Sequence, residues 1–291
     1  QYKQADGDRF LLGVCDNDTI VSMDYTSGTT GPDGTWDNIT GSLSFANTQD
    51  DLADFATVQD VAVIEDGLRT TDPYTWTGTG NASTLTAAPN ASMVEFHNRI
   101  LWVAGRSDAR SRVDFSNLDA YTTWTSTDNI LVETDDNQVI TGLKSAFDCL
   151  YVFKTESIHR VCGRDRDNLR LEQMVAGVGA ASNTAIQLVN NRFMFLTDQG
   201  DIALYDGGIN IEFISFKISG TLDPSVVNLA RFQYARSAFL DDSEFYLSLS
   251  TSGSGTHDLI LLYDVDVQAW TKFSGLNANA LAIYEIGTQQ H

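Results

Sequence analysis

NRFMFLTDQGDIALYDGG, residues Asn191 to Gly208, reads either as one hairpin inside a larger enzyme or as one tooth of a repeat. Arg192 to Thr197 is short, aromatic and apolar, as a strand buried on both faces would be. DQG is a turn signal in which Gly200 is free to take positive φ, and DIALY then alternates polar and apolar residues. Asp206-Gly207-Gly208 closes the unit. A helix does not fit, because the apolar residues do not recur at three-to-four spacing and the glycine pair would end it.

Other stretches repeat this pattern. NRILWVAG at Asn98 opens in the same way, with a polar pair leading into an aromatic-aliphatic strand. DCLYVFKTESIHRVCG at Asp148 repeats the whole unit, and SEFYLSLSTSGSGTHDLILLYD at Ser243 does so around a longer Ser/Gly hairpin. DRFLLGVCDNDTIVSMDYTSG at Asp8 and QDVAVIEDGLRTTDPYTW at Gln59 are weaker copies, the latter turning at Asp66-Gly67. Taking Phe10, Val61, Ile100, Leu150, Phe193 and Phe245 as the leading strand residues gives spacings of 51, 39, 50, 43 and 52. Such irregular intervals exclude a solenoid that must stack in register. They suit radial repetition, in which four-stranded blades take about 40–50 residues each. The expected fold is therefore all-β: a β-propeller, six-bladed, with four-stranded antiparallel blades, occupying residues 1–291 as a single domain.

Other blade marks agree. Trp36, Trp76, Trp124 and Trp270 each fall late in a unit, where a large aromatic would fill the wedge between neighbouring blades. Pro224 to Gln233 is the best candidate for a turn or two of helix. The last apolar run, ALAIYEIG from Ala280, lacks a partner in its own unit. It would pair with the N-terminal unit and close the ring, or begin a segment that continues beyond the chain. The first residues, QYKQADGDRF, have neither an initiating Met nor an apolar signal core. The start reads as trimmed, by processing or because the chain is a piece of a larger protein.

Composition restricts the chemistry. Eighteen basic against 39 acidic residues give a formal charge of −21, which repels a phosphate backbone and disfavours nucleic-acid binding. The one basic cluster, RSDARSR from Arg106 to Arg112, reads as a solvated loop rather than an anion contact. No apolar run approaches the roughly 20 residues that span a bilayer. Cys15, Cys149 and Cys162 form no disulfide-like spacing and read as small buried apolar residues of a chain that folds in a reducing compartment.

No catalytic, cofactor-binding or metal residues emerge. His159 reads as a satisfied strand residue, His97 and His257 as loop or strand-edge positions, and His291 is terminal. No metal-ligand spacing and no nucleophile elbow occur. GVGAAS at Gly177 begins like a dinucleotide fingerprint but ends in Ser182, outside any strand-to-helix crossover. GTTGPDGT at Gly28 lacks the lysine of a phosphate loop and reads as a hairpin tip. The acidic groups at Asp16, Asp135 and Asp165 miss the calcium-loop spacing, and they read as solvated loop acids. The sequons at Asn17, Asn38, Asn81 and Asn90 would matter only in a chain secreted by a eukaryote.

Two long stretches carry a family resemblance. FHNRILWVAGRSDARSRVDFSNLDAYTTWTSTD (96–128) is similar to a segment of the tail-nozzle and head-to-tail propeller proteins of short-tailed bacteriophages. ITGLKSAFDCLYVFKTESIHRVCG (140–163), followed by GVGAASNTAIQLVNNRFMFLTDQGDIALYDG (177–207), resembles the next two blades of those proteins. The pattern extends over roughly Asp50 to Gly220. The resemblance implies a non-enzymatic structural protein of the virion tail, made in the bacterial host cytoplasm, needing no cofactor. Its implied partners are copies of itself in a ring, a portal or adaptor, tail-fibre proteins, and passing viral DNA that it does not bind specifically, with no membrane insertion. Acidic loops facing the lumen would keep that DNA from sticking during ejection. Such relatives carry a separate channel-forming part, and no long second domain is legible here. The chain is thus a nozzle, a piece of one, or a propeller module used elsewhere in the virion. The alternatives are a propeller lectin or host-receptor-binding module, a glycosidase-type propeller, and an intracellular scaffold of the WD or kelch kind.

Overall fold

A computed structural model describes residues 1–25, 34–241, 243–286 and 289–291. Six four-stranded antiparallel sheets follow one another, each built from four consecutive strands. Their first strands are Tyr2–Lys3, Asp54–Val58, Met93–His97, Ile140–Ala146, Ile186–Val189 and Arg236–Leu240. From blade two to blade six these first strands lie against one another in chain order around the axis. The molecule is a six-bladed β-propeller.

The repeat is there, displaced by one strand. Phe10, Val61, Ile100, Leu150, Phe193 and Phe245 all sit in the second strands, not the first. Two-residue turns precede the second strands of blades two to five. Gln59-Asp60, Asn98-Arg99, Phe147-Asp148 and Asn190-Asn191 have φ of 48° and 61°, 50° and 69°, 51° and 60°, and 46° and 58°. Positive φ at both central residues defines the turn whose twist matches a right-handed hairpin, and Asn and Asp tolerate it best. The same corner thus recurs at the same place in blades two to five.

Packing occurs mainly between blades. One apolar cluster joins blades one and two, with Trp76 packed on Tyr2 and Phe10 at 5.8 and 4.9 Å between ring centres. Others join blades two and three, three and four, four and five, and five and six. Trp124 and Trp270 pack against two of these clusters, as wedge residues should. Trp36 does not: it is 50% exposed, because the fourth strand beside it is only Asp37–Asn38.

The seam between blades six and one is built differently. Among the described residues ALAIYEIG adds no strand to blade one; Glu285–Ile286 pairs instead with Gln289–Gln290. Side chains then make the bridge. Tyr284 packs with Leu11, Met23 and Tyr25, Glu285 accepts from Arg9 at 3.2 Å, and Gln290 accepts from the Asp241 amide at 3.0 Å.

Several local expectations change. The Pro224–Gln233 segment forms a 3-10 helix only over Leu229–Tyr234. Cys149 and Cys162 are register partners on adjacent strands of blade four and are joined as a disulfide, while Cys15 is free. A separation of 13 residues hides an antiparallel pairing, and with that bond the argument for a reducing compartment loses its basis. The GTTGPDGT reading falls largely on residues outside those described. Among the described residues no helix is long and apolar enough to cross a membrane.

Candidate functional site

The first strands of inner blades face a narrow axis and so carry polar residues, which must find partners there. Asp54 opens the first strand of blade two. Its Oδ2 accepts the Val94 amide of blade three at 2.9 Å and the Asn183 side-chain amide at 2.7 Å. Asn183 sits in a short 3-10 turn before blade five, and its Oδ1 accepts the Leu143 amide of blade four at 3.0 Å. Four blades therefore meet through two side chains. Opposite walls of the axis are bridged at hydrogen-bonding distance.

Farther along the same strands lie Glu95 and Lys144. Burial pushes the Glu95 carboxyl up to about 7; Lys144 opposes the shift and Asp54 adds to it. Burial also raises Asp54, against the pull of Lys144 and the donors from Val94 and Asn183. Glu65 is the register partner of Asp54, buried, with neither carboxyl oxygen partnered among the described residues. Burial and the nearby Asp66, Asp54 and Asp72 carboxylates hold it well above the ordinary carboxylate range.

A cavity of about 320 Å³ opens at this mouth of the axis. Asp54, Asn183, Ser182, Thr184, Asp198 and Tyr234 contribute its polar lining, over a floor that includes Met93, Ile140 and Phe232. The loops before first strands and those between second and third strands meet here. Ser182 and Thr184 both donate to the Ala235 carbonyl, tying blade five to blade six beside the cavity. The arrangement can hold a small polar ligand or a side chain from another protein. Among the described residues no cluster of three or more potential ligands is placed to hold a metal ion.

Residues singled out in the sequence fall elsewhere. Arg106 and Arg112 are not a free cationic loop: both lie within ion-pairing distance of the buried Asp114, at 3.8 and 3.1 Å, and Arg106 also pairs with Asp108. His159 is buried with its Nε2 3.1 Å from Ser157 Oγ, as expected of a structural residue. His97 ends a strand and His257 lies in the loop before one, as expected, and both are buried; His97 Nδ1 meets Ser145 Oγ at 2.7 Å. GVGAAS is an inter-blade linker in which Ala180 donates to the Lys154 carbonyl. A Cβ on Gly179 would come within 1.9 Å of that carbonyl oxygen, so the glycine serves close packing. Of the acids at Asp135, Asp136 receives the buried Lys154 ammonium at 2.6 Å.

The axial set of Asp54, Glu95, Lys144 and Asn183 escaped the sequence reading. Its members lie about one blade apart and share no local motif. The usable signal was a charge in the first strands of blades two, three and four, at positions where a two-sided core strand would be apolar.

No protein-family model matches the chain, and no curated protein does. Solved structures share its architecture. A protein from Lactobacillus plantarum is 12% identical with a TM-score of 0.55, over 92% of this chain and 81% of that one. The computationally designed Ika8 protein is 12% identical with a TM-score of 0.54, over 100% and 80%. YCF48, solved bound to D1 peptide, is 14% identical with a TM-score of 0.53, over 91% and 78%. At such identities the likeness is one of fold alone.

Proposed function

We propose that this chain is a non-enzymatic structural component of a short-tailed bacteriophage virion, a nozzle-like propeller of the tail that works by docking. One observation carries the reading. The stretches resembling nozzle proteins, residues 96–128, 140–163 and 177–207, fall on three consecutive blades, and the last two begin in or just ahead of a blade's first strand. The first three strands of blade four and of blade five thus lie within the stretches that carry the resemblance, which supports the reading.

Docking needs a surface, and blades five and six offer one. Phe216 is 87% exposed and Val267 68% exposed, beside a cleft of about 240 Å³ lined by Phe213, Tyr263 and Trp270. We assign this edge to a second copy of the chain, in head-to-tail contacts that close by rotation into a ring. Asp54 and Asn183 bridge the propeller's own axis, so DNA would pass through the lumen of that ring and not through one propeller. Two copies that each carry −21 repel, so salt should favour assembly.

Light scattering after size exclusion, with negative-stain images of the same peak, tests the reading. A closed ring that Phe216→Asp disperses is expected. A monomer at every concentration and ionic strength, unchanged by that substitution, would remove self-assembly from the proposal.

The channel-mouth cavity favours a second reading, a lectin or receptor-binding module. Its hydroxyl, amide and carboxylate lining beside Tyr234 suits a polyhydroxylated ligand. A glycan array separates the two, since the tail reading expects no glycan bound at this cavity.

A further inference from the structure

The channel-mouth cavity has already committed most of its inner hydrogen-bond donors. Ser92 donates to the Gly105 carbonyl at 3.3 Å, and Ser182 and Thr184 donate to the Ala235 carbonyl at 3.0 and 2.6 Å. A hydroxyl carries one hydrogen, so each of these three offers a ligand only lone pairs. Asn183 commits its Oδ1 to the Leu143 amide and an N–H to Asp54. Asp54 and Asp198 add carboxylates to the lining, and Asp198 accepts only from its neighbour Gln199 among the described residues. The inner wall is therefore rich in acceptors. Free donors remain on Arg69, Gln233 and Tyr234, exposed or half-buried side chains at the rim.

Two groups at this wall lack partners altogether. Thr141, on the first strand of blade four, lines the cavity, and its Oγ1 is buried and unpartnered among the described residues. Glu65 is fully buried across the strand pair from Asp54. Register partners project to one face of a sheet, so both carboxyls point to the same side of blade two. It is the side that packs on blade three, because Ala56 and Val63, two residues along each strand, join the cluster shared with that blade. Neither Glu65 oxygen has a partner among the described residues. Ionised, that group needs donors or a cation; protonated, its O–H needs an acceptor.

We propose that this cavity receives a basic side chain, a lysine or an arginine presented by a partner protein. Its ammonium or guanidinium donates to Asp54, Asp198 and the hydroxyl oxygens, and its aliphatic stem lies on Met93, Ile140 and Phe232. The same charge offsets the buried Glu65 carboxyl beside Asp54. A sugar is matched less well, because its hydroxyl oxygens would find few donors on the inner wall. The formal charge of −21 steers a cation toward the site. Opposing it is Arg69, which forms no ion pair among the described residues. The site is independent of the tail reading.

NMR titration with N-acetyl-lysine methylamide and N-acetyl-arginine methylamide tests the proposal. The norleucine analogue serves as an uncharged stem, and glucosamine as an amino sugar. At low ionic strength, saturable millimolar binding of one or both charged amides is expected, and none of the norleucine compound. Asp198→Asn should weaken that binding about tenfold, and Arg69→Gln, which removes the rim cation, should tighten it about threefold. Both residues stand outside the buried network, so these variants keep the test open even where Asp54→Asn fails to fold. Tighter binding of glucosamine than of either amide would overturn the protein side chain as occupant. No saturable binding of either amide, or affinities unchanged in both variants, would overturn the site itself.

Discussion

Asn183 donates to Asp54 across the axis at 2.7 Å, although the two residues lie 129 positions apart in the chain. The same two side chains accept the Val94 and Leu143 amides, so each is a junction between backbones as well as a partner of the other. Replacing Asn183 by Ala leaves the Leu143 amide and one lone pair of Asp54 unpaired. A loss of about 2–3 kcal/mol is expected, from buried groups left unsatisfied. Urea unfolding of Asn183→Ala, Asp54→Ala and the double variant checks it; independent, additive losses would contradict the coupling.

Glu95 makes stability depend on pH. In the folded chain burial pushes its carboxyl up to about 7, from an ordinary value of 4.5. Between those values the folded state holds a proton that the unfolded state has released, so stability falls as pH rises through this window. The loss expected from this group is on the order of 2–3 kcal/mol. Glu95→Gln should flatten the slope between about pH 4.5 and 7, read from urea midpoints across that range. Lys144→Met removes the opposing cation and should steepen the wild-type fall or move it to higher pH.

Lys154 and Gly179 hold one corner from two sides. The Lys154 ammonium, fully buried, donates to the Val132 and Glu133 carbonyls and to Asp136, while its own carbonyl receives Ala180. Lys154→Met strands two carbonyls and a carboxylate and should cost about 3 kcal/mol or more. Gly179→Ala meets the Lys154 carbonyl and should be at least as damaging. Gly177→Ala meets nothing within 4 Å and suffers only from a φ of +82°, so a loss nearer 1 kcal/mol is expected. Thermal unfolding of the three variants ranks them.

Non-reducing peptide mapping should find the Cys149 and Cys162 peptides joined and Cys15 alkylated. Closing a loop of this size restricts the unfolded chain, and reduction should lower stability by about 2–3 kcal/mol. An unaltered midpoint in reductant, with the bond shown to be broken, would contradict that expectation.

Blade number was legible because second strands are the most uniform part of the repeat, aromatic and aliphatic, and in blades three to five almost wholly buried. Asn98-Arg99 and Asn190-Asn191 even print the turn that precedes them. The phase was not legible, because first strands such as DFATV and MVEFH carry charges that look like loop or edge residues until the axis is known. Asp54, Glu95, Lys144 and Asn183 serve one place from four positions in the repeat, and only closure of the ring brings them together. The Cys149–Cys162 bond was hidden for a related reason: register between strands, not spacing along them, decides it.

The seam closed by Tyr284, Glu285 and Gln290 has a further consequence. Among the described residues each sheet is built from consecutive strands, and no blade borrows a strand from the far terminus. A blade could therefore be duplicated, deleted or exchanged at its linkers without tearing a sheet, and the ring could be opened at another linker by circular permutation. Modular inheritance of this kind lets the diameter of a propeller drift over evolutionary time while the interior of each blade stays intact.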